Sequence, residues 1–287
     1  MQTFEKEIIT CIKQYNSDIK IADNELIGKT VHICDKNIVY HLMSINNEHL
    51  ENISPTYFQE KSLIYDSQGL QLVHLWEDYW NSKREIIHSR ISALSGSCTR
   101  IQARKTTSRR IEKKLMSGFL SINHLQSFVA GRYNYGLYRD EQLLAVASFS
   151  SGRTFVGNGF SRRSFELLRF ANLLHHRVTG GLGKIIARFI KDVKPDDIMT
   201  YADLDWASGK SYKALGFEQT EITAPQFFWI HPTEMIRHYP HRLPENITID
   251  FYKQKTYDNI GDFLIDKGYI KISNAGNIKF LKFLVVS

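Results

Sequence analysis

Cysteine is scarce: Cys11, Cys34 and Cys98 are the only three in a chain of 287 residues. None stands in a CxxC pair or at zinc-ligand spacing, so a disulfide framework is excluded and a reducing compartment is indicated. Proline is scarce too, with six residues, and heptads, long repeats and low-complexity tracts are lacking, which excludes fibrous and linker-like classes. No apolar run approaches the ~20 residues of a membrane-spanning helix. The opening MQTFEKE lacks the basic-then-apolar pattern of a signal peptide. A soluble, intracellular, globular protein with no membrane partner is expected. Hydrophobic residues make up 43% and aromatics 12%, enough to fill real cores, and the length suits two domains.

Acidic residues are lacking from one stretch in particular. Between Asn81 and Gly118 ten Lys/Arg face two acids, a local +8 in a chain whose formal net charge is +7. Localised positive charge fits a polyanion, and equally a solvated connector kept soluble by Lys and Arg. The first reading makes DNA, double- or single-stranded, the expected partner. Its main contacts would be Arg100, Arg104, Lys105, Arg109, Arg110, Lys113 and Lys114. A Gly/Arg-rich loop from Ser151 to Arg163 offers Arg153, Arg162 and Arg163 as further phosphate contacts, or is a plain hairpin tip.

Periodicity predicts an α/β (α+β) chain. Phe4, Ile8, Ile9, Ile12 and Tyr15 share a helical face. Strands follow at Thr30–Cys34 and Ile38–Leu42, then a helix over Tyr57–Ser67 and a buried strand over Leu70–Trp76. Ser82-Lys83-Arg84-Glu85 reads as a capping box opening a helix that buries Ile86, Ile87, Ile91 and Leu94. Ser108–Leu120 reads as a basic amphipathic helix, and Tyr135–Tyr138 with Leu143–Phe149 as a hairpin across Asp140-Glu141. Phe165–Phe170 is strand-like and leads to Gly180-Gly181-Leu182-Gly183. Ile185, Ile186, Phe189, Ile190 and Val193 then share a helical face that ends at Pro195. A strand over Ile198–Ala202 precedes a short helix, with Ser208 at its N-cap and Gly216 at its end.

Glycines that open a helix let backbone N–H groups approach an anion, and the helix dipole adds partial positive charge. Joined to Ser211-Tyr212-Lys213-Ala214-Leu215-Gly216-Phe217, this pattern resembles the acyl-CoA-binding half of the GNAT acetyltransferase superfamily. The resemblance implies acyl-CoA (acetyl-CoA) as cofactor, with Gly180, Gly181, Gly183 and Lys184 against its pyrophosphate. It makes Tyr212 the acid that protonates the leaving thiolate, Glu166 a candidate general base or a partner of Arg169, and Asp203 a further candidate. Val178 occupies the family's basic position, and Arg177 stands one place away.

The rest of the chain resembles a second group. FEKEI, GLQLVHLWEDYW and KREIIHSRI, followed by Ile101-Gln102-Ala103-Arg104-Lys105, resemble phage and mobile-element homing endonucleases, in which a very-short-patch-repair-like nuclease domain precedes a GNAT-like domain. That resemblance implies a restriction-endonuclease-like α/β domain over residues 1–96, a basic connector and first helix over 97–118, a GNAT-like mixed-sheet domain over 119–240 and an extension over 241–287. It implies the cytoplasm of a bacterial or phage-infected host. The nuclease carboxylates are replaced: His32 and Tyr40-His41 stand where a hard cation needs Asp or Glu. His49, Glu7 and Asp78 remain. These residues are either a changed, softer metal site or ordinary side chains of a degenerate domain, and no divalent metal is expected. The leading expectation is a DNA-binding protein with cleavage weak or lost. The alternatives are an acyl-CoA-dependent transferase, one acceptor being a nucleobase, and an active nuclease with an altered metal site.

Overall fold

The computed structural model describes residues 3–23, 27–126, 128–157, 160–254 and 256–284. Its contacts divide the chain into two compact units that interleave in sequence. Unit 1 takes residues 1–84, 203–208 and 223–277, and unit 2 takes residues 85–202, 209–222 and 278–287.

In chain order, unit 1 opens with α1 (Thr3–Tyr15), β1 (Ile19–Ala22), β2 (Lys29–Ile33), β3 (Ile38–Met43), α2 (Tyr57–Ser67), β4 (Gln71–Trp76) and α3 (Glu77–Ser82). The strands form one sheet in the order β1-β2-β3-β4, antiparallel except for the parallel β3–β4 pair. The helical face predicted for α1 is the buried one, with Phe4, Ile8, Ile9 and Ile12 in the core. Ser82 does not open a helix: its hydroxyl donates to the Asp78 carbonyl at 2.7 Å and closes α3. The next helix, α4 (Arg84–Ser95), starts two residues later.

Unit 2 continues with β5 (Thr99–Gln102), β6 (Thr107–Arg110), α5 (Lys113–Asn123), β7 (Tyr133–Arg139), β8 (Gln142–Phe149), β9 (Arg153–Gly157), β10 (Phe160–Asn172), β11 (His176–Thr179), α6 (Gly181–Val193), β12 (Asp197–Asp203), α7 (Lys210–Lys213) and β13 (Glu218–Ile222). Unit 1 resumes with β14 (Phe227–Ile230), β15 (Arg237–His238), α8 (Glu245–Lys253), α9 (Ile260–Asp266) and β16 (Ile270–Ser273), and β17 (Asn277–Phe283) ends the described chain. In unit 1 the later strands pair as β15-β14-β16. In unit 2 the main sheet runs β13-β17-β12-β10-β8-β7-β6, with β9 on β10, and β11 pairs separately with β5.

The helix expected over Ser108–Leu120 is a strand and then a helix. Ser108–Arg110 belongs to β6, which lies antiparallel on β7 with Ser108 opposite Leu137, and only α5 from Lys113 is helical. The expected Ser151–Arg163 loop is largely the paired strands β9 and β10, with Arg162 opposite Phe155; residues 158 and 159 at its turn lie outside the described residues. Gly209, not Ser208, precedes α7. Its φ is +72°, and a Cβ there would lie 2.2 Å from the Phe280 ring, so only glycine fits. The core of unit 2 is aromatic: Phe149 and Phe189 stack at 3.9 Å between centroids, with Phe165 edge-on to Phe189 at 5.4 Å. Phe189 is thus the inward residue of α6 that locks the helix onto the sheet.

Candidate functional site

Two parallel strands in the middle of unit 2 come apart. β10 and β12 pair from Ser164↔Asp197 to Leu167↔Thr200, yet β10 continues to Asn172 and β12 to Asp203. A bulge between Leu167 and Arg169 marks the place where β10 leaves β12 and stays with β8. Because the strands are parallel, the connecting α6 runs back along them. Its N-terminus therefore lies at their carboxyl end, where the pairing stops, and crevices at that end of parallel strands are where ligands bind.

Gly180 precedes α6 in the left-handed conformation, φ +77°, and no side chain caps the helix. The first-turn amides thus carry the helix's partial positive charge without a side-chain acceptor. Gly181 is needed for packing: a Cβ there would sit 2.9 Å from the Val178 Cβ and 3.0 Å from Leu137. Gly183 likewise faces Leu215 at 3.0 Å. Lys184 is committed elsewhere, its ammonium donating to the carbonyls of Ala103 at 2.9 Å and of Thr106. It holds the Ala103–Thr106 turn against α6 rather than facing the helix end. The cations nearest in sequence register are different ones. On the β5–β11 ladder Arg100 stands directly opposite Arg177, both are exposed, and β11 runs straight into Gly180. Like charges placed opposite each other repel, an arrangement that an anion relieves.

Glu166 lies on β10 one residue before the last pair, half-buried. Its amide donates to the Ser150 hydroxyl at 2.9 Å and its carbonyl accepts from the Ser150 amide at 2.9 Å. Burial raises its carboxyl above the usual range, while Arg169 and Arg153 pull the other way. Tyr212 packs on Phe280 at 5.5 Å and Phe217 at 5.7 Å between centroids. Burial raises its phenol, against a hydrogen bond with Thr200. The Thr200 hydroxyl itself donates to the Leu167 carbonyl at 3.0 Å. Tyr212 thus lies near Thr200, one of the last paired residues at the apex of the split.

The other expected site residues fall elsewhere. Asp203 belongs to unit 1, where its carboxylate accepts the Asp205 amide at 3.0 Å. Glu7 accepts from the Trp80 indole at 2.8 Å and from Arg84 at 2.6 Å. Asp78 is held by both arms of Arg237, at 2.7 and 3.0 Å. His41 is buried against His74 at 3.1 Å and the Ile27 carbonyl, His32 lies near the Tyr65 ring, and His49 is exposed beside Glu48. These do not converge: among the described residues no three His, Cys, Asp or Glu side chains come together to hold a metal ion.

Of the basic residues, Arg104, Lys105, Arg110, Lys113 and Lys114 are exposed, with Arg110 over the Tyr133 ring at 5.1 Å. Arg109 is tied to Glu141 at 2.9 and 2.6 Å. Arg162 pairs with buried Asp197 at 3.0 Å, and Arg163 donates to the Val193 carbonyl at 3.3 Å. Sequence reasoning missed Ser150 and Thr200; a threonine inside the otherwise apolar Ile198–Ala202 stretch was the available signal, and the structure buries it fully.

No family model and no curated protein matches the chain. Among solved structures it is similar to a ribosomal-protein-S18-alanine N-acetyltransferase from Escherichia coli, at 11% identity and TM-score 0.35 over 63% of this chain and 96% of that one. It is similar to a GNAT family acetyltransferase from Elizabethkingia anophelis with acetyl-CoA bound, at 11% identity and TM-score 0.30 over 63% and 99%. A Bacillus subtilis acetyltransferase in complex with CoA matches at 12% identity and TM-score 0.31, over 63% of this chain and all of that one.

Proposed function

We propose that unit 2 is an acyl-CoA-dependent acyltransferase of the GNAT type. The observation that carries this reading is the split between β10 and β12 beyond Leu167/Thr200, with the uncapped end of α6 at its carboxyl side. The amides of residues 181–183, with Arg100 and Arg177, would hold the diphosphate, and Lys184, engaged with two carbonyls, would not. Bound acyl-CoA supplies an acyl thioester. Glu166, its proton affinity raised by burial, accepts the proton of an acceptor amine. Tyr212 keeps its phenolic proton at neutral pH and would give it to the CoA sulfur that leaves as the acyl group passes to the amine.

Calorimetric titration with CoA tests this reading. Thr179→Glu places a carboxylate just before α6, which favours the helix but repels a diphosphate. Binding should weaken at least tenfold while the melting temperature holds or rises. Arg177→Ala should lose about tenfold or more, as expected for a charge-assisted hydrogen bond of ~1.5–3 kcal/mol. CoA binding that is absent, or unchanged in both variants, overturns the reading.

A second reading, duplex contact along Arg104, Lys105, Arg110, Lys113 and Lys114, is favoured by the exposure of all five. If four of them touch phosphates, log affinity falls against log salt with a slope of about −3.6. Alanine at Arg104, Lys105, Arg110 and Lys113 should flatten it, and an unchanged slope rejects this strip.

A further inference from the structure

One face of the β9–β10 ladder has chemistry that neither reading uses. Arg162 is flanked by two aromatic rings, its guanidinium 5.3 Å from the Phe155 centroid and 5.5 Å from that of Phe283. Both rings are open to solvent, Phe155 at 48% and Phe283 at 58%, beside Val156 at 83%. Buried Asp197, 3.0 Å from the Arg162 Nε, holds the guanidinium from behind. Neither the Arg162 Nε nor the Asp197 Oδ2 has a hydrogen-bond partner among the described residues, so the two meet as an ion pair alone. Exposed rings of this size are a cost in water, and a fixed guanidinium between them is a preformed place for a flat, anionic ligand.

The same face is positive. Arg153, opposite Ser164 on the ladder, is exposed beside Arg162, while Arg163 turns to the other face, toward α6. Among the acids nearby, Asp192 is engaged by Arg188 and Tyr135, Asp196 by the Arg163 amide and Asp197 by Ser164 and Arg162, and Glu166 is within the field of Arg153 and Arg169. Self-pairing of β9 between two copies would bring these cations together. An acidic peptide would satisfy the cations and leave both rings bare. A single strand of nucleic acid meets both demands, since its bases stack on aromatic faces and its phosphates meet arginine and lysine.

We infer that the Phe155–Arg162–Phe283 face of unit 2 binds single-stranded nucleic acid, with bases on the two rings and phosphates on Arg162 and Arg153. The site borders the proposed acyl-transfer base, because Arg153 also acts on the Glu166 carboxyl. Arg162 is the pivot, but its replacement strands Asp197 as an unpaired buried charge, so the rings are the clean positions. Exposed phenylalanines can be replaced with little effect on folding.

The test is fluorescence anisotropy of the full chain at low salt, using a labelled twelve-nucleotide oligothymidylate, the same strand with every base removed, and a duplex of equal length. The oligothymidylate should bind at least tenfold more tightly than the other two. Phe155→Ala and Phe283→Ala should each lose about tenfold, the range of one stacked base, with unchanged melting temperature and unchanged affinity for the abasic strand. Equal binding of the abasic strand or the duplex means phosphate attraction alone and overturns the inference. So does binding that both variants leave intact, no binding at all, or a dimer in sedimentation that Phe155→Ala dissolves.

Discussion

Replacing Arg237 by Met should destabilise unit 1 strongly, and more at alkaline than at acidic pH. Arg237 and Asp78 are a buried pair, 9% and 1% exposed at the side chain. The guanidinium lies 4.0 Å from the Tyr79 centroid and 5.3 Å from that of Phe228. Methionine can fill that aromatic slot, so the dominant loss is electrostatic: removing one partner of a buried pair costs about 3–5 kcal/mol, a large part of a typical 5–15 kcal/mol total. The pH dependence comes from Asp205, pushed up to about 8 by burial and the Asp203 charge, with Arg237 pulling it down. Its folded pKa exceeds the unfolded one, so the folded state binds more protons between about pH 4 and 8. Stability therefore falls as pH rises through that window. Without Arg237, Asp205 loses the cation that favours its charged form, so the loss is smaller at about pH 5, where its carboxyl keeps its proton. At about pH 8 the Asp205 carboxyl must ionise without that cation or stay protonated at a cost. Asp78→Asn in the Met background should restore most of the loss. All four tryptophans, Trp76, Trp80, Trp206 and Trp229, lie in unit 1, so urea unfolding followed by tryptophan fluorescence reads this unit alone. A loss that is equal at both pH values, or under about 1 kcal/mol, refutes the reasoning, because breaking a buried pair cannot be that cheap.

Other consequences concern single groups. Glu166→Gln should lower turnover by about 10²–10⁴, the usual contribution of a general base, with CoA affinity unchanged; the acid limb of the wild-type pH–rate profile should lie above the ordinary carboxylate range. A profile that rises at ordinary carboxylate pH excludes Glu166 as the base. Tyr212→Phe should reduce turnover and leave CoA affinity intact, because Thr200 keeps its bond to Leu167; equal losses in both would make Tyr212 a packing residue. His74 is fully buried, and burial, then the His41 charge, hold it well below 6.5. The unfolded state therefore takes up the proton first as pH falls below about 6.5, and unit 1 loses stability on the acid side of that value. His74→Gln should flatten this slope in fluorescence-detected unfolding, and an unaltered slope assigns the acid sensitivity to other groups.

Much of unit 2 was legible because its signals are local. Ile185, Ile186, Phe189 and Val193 repeat at helical spacing and do line the buried face of α6, and Asp140-Glu141 form the positive-φ turn of the β7–β8 hairpin. What the sequence hid depends on distant partners. Thr107–Arg110 carries no alternation that marks a strand, and it becomes one because β7 offers it an edge. Ser82 had the residues of a capping box, yet its hydroxyl found the Asp78 carbonyl one turn back. Charge counting saw the number of cations but not their company: Arg109 has Glu141, Arg162 has Asp197, and Asp78, a metal candidate by sequence, has Arg237 159 positions away. The split itself was invisible, since no residue type announces where two paired strands stop pairing.

That split is the centre of the account, and hydrogen–deuterium exchange with and without CoA tests it most directly. CoA should slow exchange in two peptides, one covering Thr179–Ile185 at the start of α6 and one covering Leu168–Asn172 beyond the bulge. Protection confined to other segments, or an exchange pattern that CoA leaves unchanged, would contradict it.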